Sequence, residues 1–205
     1  FLRKTWRALP RKGLSAVYFA MLGLGFMALE ISLIQKLTLL LGYPTYSLTV
    51  TLMSMLTFAG LGSLLSGRYR GDVRWLALAL VAVVGTSTVF YQFGLPPLTA
   101  VAIGWPLGMR TLLCVGLLAP MAVALGAFMP LGLRAVASLT EFKTEYIAWS
   151  WAVNGFFSVI GSTLTTILSM AYGFSAVLYI ALGLYGIAAI ALIFLSRRGD
   201  GALVS

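Results

Sequence analysis

The chain has 205 residues, 60% of them hydrophobic and 9% charged, with a formal net charge of +9. A soluble domain carries roughly 25% charged residues, so this chain has too few charges to dress a surface in water and is expected to be an integral membrane protein. It has no histidine and a single cysteine, which excludes imidazole-ligated haem, histidine-based zinc or proton relays, and an internal disulfide.

A spanning helix uses about 20 apolar residues, and six such segments can be placed in order. The first covers 14–41, following a basic segment at 1–13. It is free of charge up to Leu29, then carries Glu30, the neutral Gln35 and Lys36, and is closed by Gly42 and Pro44. The second covers 46–65 and the third 75–93, separated by a polar turn with Arg68, Arg70 and Arg74. The stretch 94–110, with three prolines, three glycines and Trp105, is apolar but too broken to span, and reads as an interfacial or re-entrant connection. The fourth span is 111–133, with Pro120 expected to kink it. The fifth is 146–171 and the sixth 174–195, with only Tyr172 and Gly173 between them, so these two are expected to be antiparallel neighbours. A loose tail is expected at 197–205. Because the chain begins at Phe1, it is expected to be a piece of a longer protein or a trimmed one.

Charge orients the spans. With the N-terminus cytoplasmic, that side holds Arg3, Lys4, Arg7, Arg11, Lys12, Arg68, Arg70, Arg74, Arg134, Lys143, Arg197 and Arg198, which is twelve of the 14 basic residues. Only Lys36 and Arg110 remain for the other side, as the preference for cytoplasmic lysine and arginine requires. The fold class is therefore an all-α integral membrane protein, a six-transmembrane-helix bundle with both termini cytoplasmic. The basic charge is assigned to loops and anionic headgroups, and no nucleic-acid partner is expected.

Glu30 is the acid placed deepest in the membrane, and a group at that depth usually faces the bundle interior. Gly23, seven residues earlier, lies on nearly the same helix face, which suggests close packing on another helix. Two readings stay open: a counter-ion or proton site for a cationic ligand, or a hydrogen-bonded glutamate that fixes packing. Gln35 reads as an interhelical hydrogen bonder. Along the fifth span, Ser150, Asn154, Ser158, Gly161, Ser162 and Thr165 share one face. They are suited to a lined pathway anchored by Asn154, or to plain helix–helix packing with hydrogen bonds across the gap. Lys36, Trp105, Arg110, Trp149 and Trp151 read as interface anchors, with Lys36 snorkelling outward. Glycines in 23–25 and 60–62 lie inside helical runs and are packing glycines, not nucleotide loops. Catalytic groups, a metal site and a cofactor are not expected.

Several segments carry a resemblance: GLGFMALEISLIQK (23–36), LGYPTYSL (41–48), GLGSLLSGR (60–68), GAFMPLGLR (126–134) and WAVNGFFSVIGS (151–162). Together they are similar to the membrane part of bacterial spermidine-synthase-like proteins, some of which are fused to a major-facilitator-like bundle. The resemblance implies a bacterial inner-membrane bundle that stands without the family's soluble aminopropyltransferase-like domain, whose glycine-loop pattern is absent from this sequence. Three roles follow as expectations. The chain anchors or assembles with other membrane subunits, a second copy or a soluble transferase-like domain. Alternatively it is half of a facilitator-type transporter for a cationic or polar small molecule, or the membrane subunit of a polyamine-related transferase whose catalytic domain lies elsewhere.

Overall fold

A computed structural model describes residues 10–196; the basic residues Arg3, Lys4, Arg7, Arg197 and Arg198 and the tail 197–205 lie outside the described residues. The described chain is all-helical. Its helices are α1 (Lys12–Leu41), α2 (Pro44–Arg68), α3 (Val73–Phe93), α4 (Leu95–Ala102), α5 (Leu107–Ala137) and α6 (Lys143–Ser196). Five of them, all but α4, are long and apolar enough to cross a membrane.

Local chemistry sets the boundaries. α1 stops at Gly42, whose φ of 87° and ψ of −23° place it in the left-handed region, and its N–H bonds back to Thr38. Pro44 then opens α2, where a missing N–H costs nothing. Asp72 caps α3 by accepting from the Arg74 amide at 2.8 Å. The connection 94–110 holds more order than the sequence suggested. Pro96 and Pro97 fall in the first turn of α4, the one place where a helix tolerates them, and residues 107–110 already belong to α5. Pro120 and Pro130 both lie inside a single continuous α5.

α6 holds 54 residues, interrupted at Gly173, where φ is 80° and ψ is 158°. Side-chain register shows what this residue does. Along the arm 143–172, Tyr146 reaches Pro10 and Ser15, Asn154 reaches Phe19, and Gly161 lies against Leu24, so this arm runs parallel to α1. Along the arm 174–196, Ser175 meets Lys36, Tyr185 meets Gly25, and the Phe194 carbonyl accepts from Arg11, so this arm runs antiparallel to α1. The chain reverses at Gly173, and the two arms are antiparallel to each other with α1 between them. Each arm exceeds the roughly 20 residues that a span requires.

α1 is the central helix. Tyr18, Phe19, Ala20, Leu22 and Gly23 are all buried, and residues so close in sequence point to every side of a helix. α2 runs against it, with Ser47 donating to the Ile34 carbonyl at 2.5 Å. α2 and α5 run in the same direction, since Arg110 reaches Leu40 beside the start of α2 and Arg134 reaches Ser66 near its end, and they touch backbone to backbone at Gly62 against Val123 and Gly126 against Ala59. The outside stays apolar: Trp75, Leu112 and Met170 are each at least 72% exposed.

These directions gather charge at one end. The Arg11 guanidinium bonds the Phe194 carbonyl, Arg134 bonds the Ser66 carbonyl at 2.6 Å, and Arg70 and Arg134 border one cleft with Ser196. Lys36 and Arg110 lie at the opposite end, near Ser175 and Leu40.

Candidate functional site: a groove between four helices

A groove of about 500 Å³ opens between α1, α2, α5 and the first arm of α6, with Tyr185 from the second arm in its wall. Leu22, Phe26, Leu56, Leu125, Met129 and Trp151 give it an apolar lining, and no lysine or arginine among the described residues borders it. Its polar groups come from Asn154, Ser158, Ser63 and Tyr185. Gly126 and Pro130 also line it. Proline has no N–H, so the Gly126 carbonyl, four residues earlier, lacks its normal helical partner.

Glycine creates the geometry on the α1 side. A Cβ at Gly23 would overlap the Asn154 carbonyl and stand 2.9 Å from the Ser158 amide nitrogen. The close approach lets the Asn154 Nδ2 donate to the Phe19 carbonyl at 3.2 Å. Ser158 donates to the Asn154 carbonyl at 2.9 Å.

Glu30 lies one turn beyond Phe26 on α1, on the same side of the helix. It keeps 7% of its surface exposed, and its carboxylate makes no hydrogen bond or ion pair among the described residues. Its electrostatic neighbour is the Tyr185 phenol, which also lines the groove. Tyr185 in turn packs on Phe128, with ring centroids 5.2 Å apart.

The other sequence-derived residues separate. Gln35 is exposed and lies away from the groove. Ser162 donates to the Val159 carbonyl at 2.8 Å in its own helix and does not reach the groove. Of the stripe Ser150, Asn154, Ser158, Gly161, Ser162 and Thr165, read as either a lined pathway or packing with hydrogen bonds across the gap, Asn154 alone makes such a bond among the described residues. Ser150 and Ser158 turn back on their own helix, because a short hydroxyl reaches the carbonyl four residues earlier more easily than a neighbouring helix. What these residues contribute across the gap is small volume.

Lys36, expected to snorkel, is half-buried and donates to Gln92 Oε1 at 3.2 Å and Ser175 Oγ at 3.3 Å, tying α3 and the second arm of α6 to α1. It makes no ion pair with Glu30. Arg110 donates to the Leu40 carbonyl at 3.0 Å, placing a cation at the C-terminal end of α1, where exposed carbonyls favour one. Trp149 is half-buried against Tyr146, Trp151 is 55% exposed at the groove, and Trp105 is exposed in the turn before α5.

Tyr185 was missed as a site residue. It lies 155 positions from Glu30 in the chain, and no spacing rule joins them. The effect of Pro130 on the Gly126 carbonyl was in principle readable from the four-residue interval. Among the described residues no cluster of three or more acidic, cysteine or histidine groups could hold a metal ion. Compared with known proteins, the chain matches no protein-family model, no curated protein and no solved structure.

Proposed function

We propose that this protein is a membrane-embedded helical module without catalysis of its own, which anchors or assembles with other protein. In this reading the helices cross a bacterial inner membrane, and the basic end of the bundle faces the cytoplasm. The observation that carries it is the separation of charge on an apolar bundle. Among the described residues, Arg11, Arg70 and Arg134 lie at one end, and Lys36 and Arg110 at the other. Anionic lipid attracts a basic end, and short basic loops stay cytoplasmic. The resemblance of the segments 23–36 and 151–162 to spermidine-synthase-like membrane parts supports the same role, with a soluble transferase-like domain or further membrane subunits as partners. Mass spectrometry of the complex released in mild detergent tests it: a partner or a second copy is expected, and a lone monomer would count against assembly.

The groove favours a second reading, half of a facilitator-type carrier whose other half is another subunit or a second copy. A wet Glu30 and loss of substrate flux in Glu30→Gln are its expected signs. A dry Glu30, with assembly unchanged in that variant, favours anchoring.

A further inference from the structure

A cleft of about 300 Å³ opens where α2, α5 and the second arm of α6 end and α3 begins. Arg70 and Arg134 line it together with Tyr69, Ser138 and Ser196, and no acid among the described residues does. We propose that this cleft binds a phosphate group, carried by the headgroup of an anionic phospholipid. The lipid source rests on the membrane reading above; the phosphate chemistry rests on the cleft alone.

The arginines choose the sign of the ligand. The hydroxyls of Tyr69, Ser138 and Ser196 do not, because each can donate or accept, whereas a guanidinium has five N–H donors and no acceptor. Arg134 spends one donor on the Ser66 carbonyl at 2.6 Å. Arg70 is exposed and makes no hydrogen bond or ion pair among the described residues. The nearest acid in the chain, Asp72, accepts from the Arg74 amide at 2.8 Å and pairs with neither arginine. Two helices present their negative ends here, and both are already answered: Arg134 bonds the end of α2, and Arg11 bonds the Phe194 carbonyl of α6. α3 starts at Val73 in the cleft wall, so the positive end of its dipole borders the site. Residues 197–205 hold two arginines and one aspartate, so the sequence beyond Ser196 adds no net negative side-chain charge.

Two guanidinium groups at one cleft separate phosphate from carboxylate. One fork fills both oxygens of a carboxylate, while a phosphate keeps further oxygens for the second fork and for the hydroxyls. The volume stands at the small end of the range for ligand sites, about 300–1,000 Å³, and suits a headgroup rather than a whole lipid. The remaining wall includes Val73, Leu131 and Ala135, which are apolar. Trp75, two residues beyond Val73, is 72% exposed on the outside of the bundle, and tryptophan favours the headgroup level of a membrane. A phospholipid answers both parts, with its phosphate on the arginines and its glycerol and chains against the apolar wall.

The test uses the whole chain in a nonionic detergent, with native mass spectrometry counting what stays bound. The probes are dioctanoyl phosphatidylglycerol, dioctanoylglycerol as its counterpart without phosphate, and inorganic phosphate and acetate as free anions. One phosphatidylglycerol per chain is expected, with dioctanoylglycerol weaker by about tenfold or more. Arg70→Gln should weaken the phospholipid by a similar factor and keep the thermal stability of the wild type, since Arg70 has no partner in the described fold. Arg74→Gln removes the same charge from the same end without touching the cleft lining, and should leave the affinity unchanged.

Equal binding of phosphatidylglycerol and dioctanoylglycerol overturns the site, as does unchanged affinity in Arg70→Gln. Acetate displacing the phospholipid as well as inorganic phosphate does overturns the phosphate assignment. Inorganic phosphate binding as tightly as phosphatidylglycerol, and through Arg70, keeps the phosphate site and overturns its lipid source. An equal loss in Arg70→Gln and Arg74→Gln marks diffuse attraction to the basic end; it overturns the cleft and leaves the anchoring role standing. If Arg70→Gln loses stability, the comparison of phospholipid with diacylglycerol still decides.

Discussion

Gly126 of α5 lies directly against the backbone of Ala59 in α2, with no room for one added carbon. The reciprocal contact, Gly62 against Val123, lies about one turn along the same seam. Without a hydrophobic drive between helices in lipid, close backbone approach of this kind is what holds spans together. Gly62→Ala or Gly126→Ala should each destabilise the bundle by about 1–3 kcal/mol through overpacking. Gly116→Ala, where a Cβ would meet nothing within 4 Å, is the control and should be neutral or slightly stabilising. Reversible unfolding in bicelles measures all three, and equal stabilities would refute backbone contact as the basis of the seam.

Gly173 tests the reversal of α6. With φ at 80° and ψ at 158°, it occupies a region that essentially only glycine visits. Gly173→Ala and Gly173→Asn should both cost about 1–3 kcal/mol, although the position has open space for a Cβ. Gly42 differs, since its left-handed conformation is one that asparagine adopts. Gly42→Asn should therefore be tolerated and Gly42→Val should not. The same unfolding assay distinguishes the two sites, and a tolerated Asn at 173 would contradict the backbone geometry.

Tyr146 fastens the start of α6 to the start of α1. Its hydroxyl donates to the Pro10 carbonyl at 2.7 Å and accepts from Ser15 at 2.5 Å. Tyr146→Phe removes both bonds with almost no change in shape, and should lower stability by about 1 kcal/mol. Ser15→Ala removes one of them and should cost less. Double-mutant additivity would show that the two groups do not interact.

Arg110 is expected to matter for stability at the end opposite the basic face. Arg110→Met deletes the donor to the Leu40 carbonyl and the charge at the end of α1, a loss of about 1–2 kcal/mol. Arg110→Lys keeps the charge with a different reach and should recover part of that loss. Thermal unfolding in detergent reads the order wild type, Lys, Met. The reverse order would remove Arg110 from the capping role.

Much of the helix plan was legible from composition and punctuation. Gly42 and Pro44 end one helix and open the next, Tyr172 and Gly173 mark the reversal, and arginines 68, 70 and 74 flag one end of the bundle. The helix inside 94–110 was not legible, because paired prolines read as breakers unless their place in a first turn is known. Glu30 stood out as a lone acid in an apolar run, and Asn154 as the polar member of a small-residue stripe. Their relation to each other could not be read from the chain.

Hydropathy and charge are properties of neighbouring residues, and summed along the chain they determined by themselves that this protein is a set of long apolar helices with its basic residues in alternate connections. Which faces meet is a property of packing between residues far apart in the chain, from 56 positions for Lys36 and Gln92 to 183 for Arg11 and Phe194. Tertiary structure alone decided that α1 is enclosed by both arms of α6, that α2 and α5 touch at their backbones, and that Lys36 and Arg110 tie helices together. It also decided that Glu30 is buried and interacts electrostatically with Tyr185, a residue of the groove wall. A glycine permits close approach anywhere along a helix. Only the neighbour that arrives makes it a seam, as at Gly126, or an opening, as at Gly60.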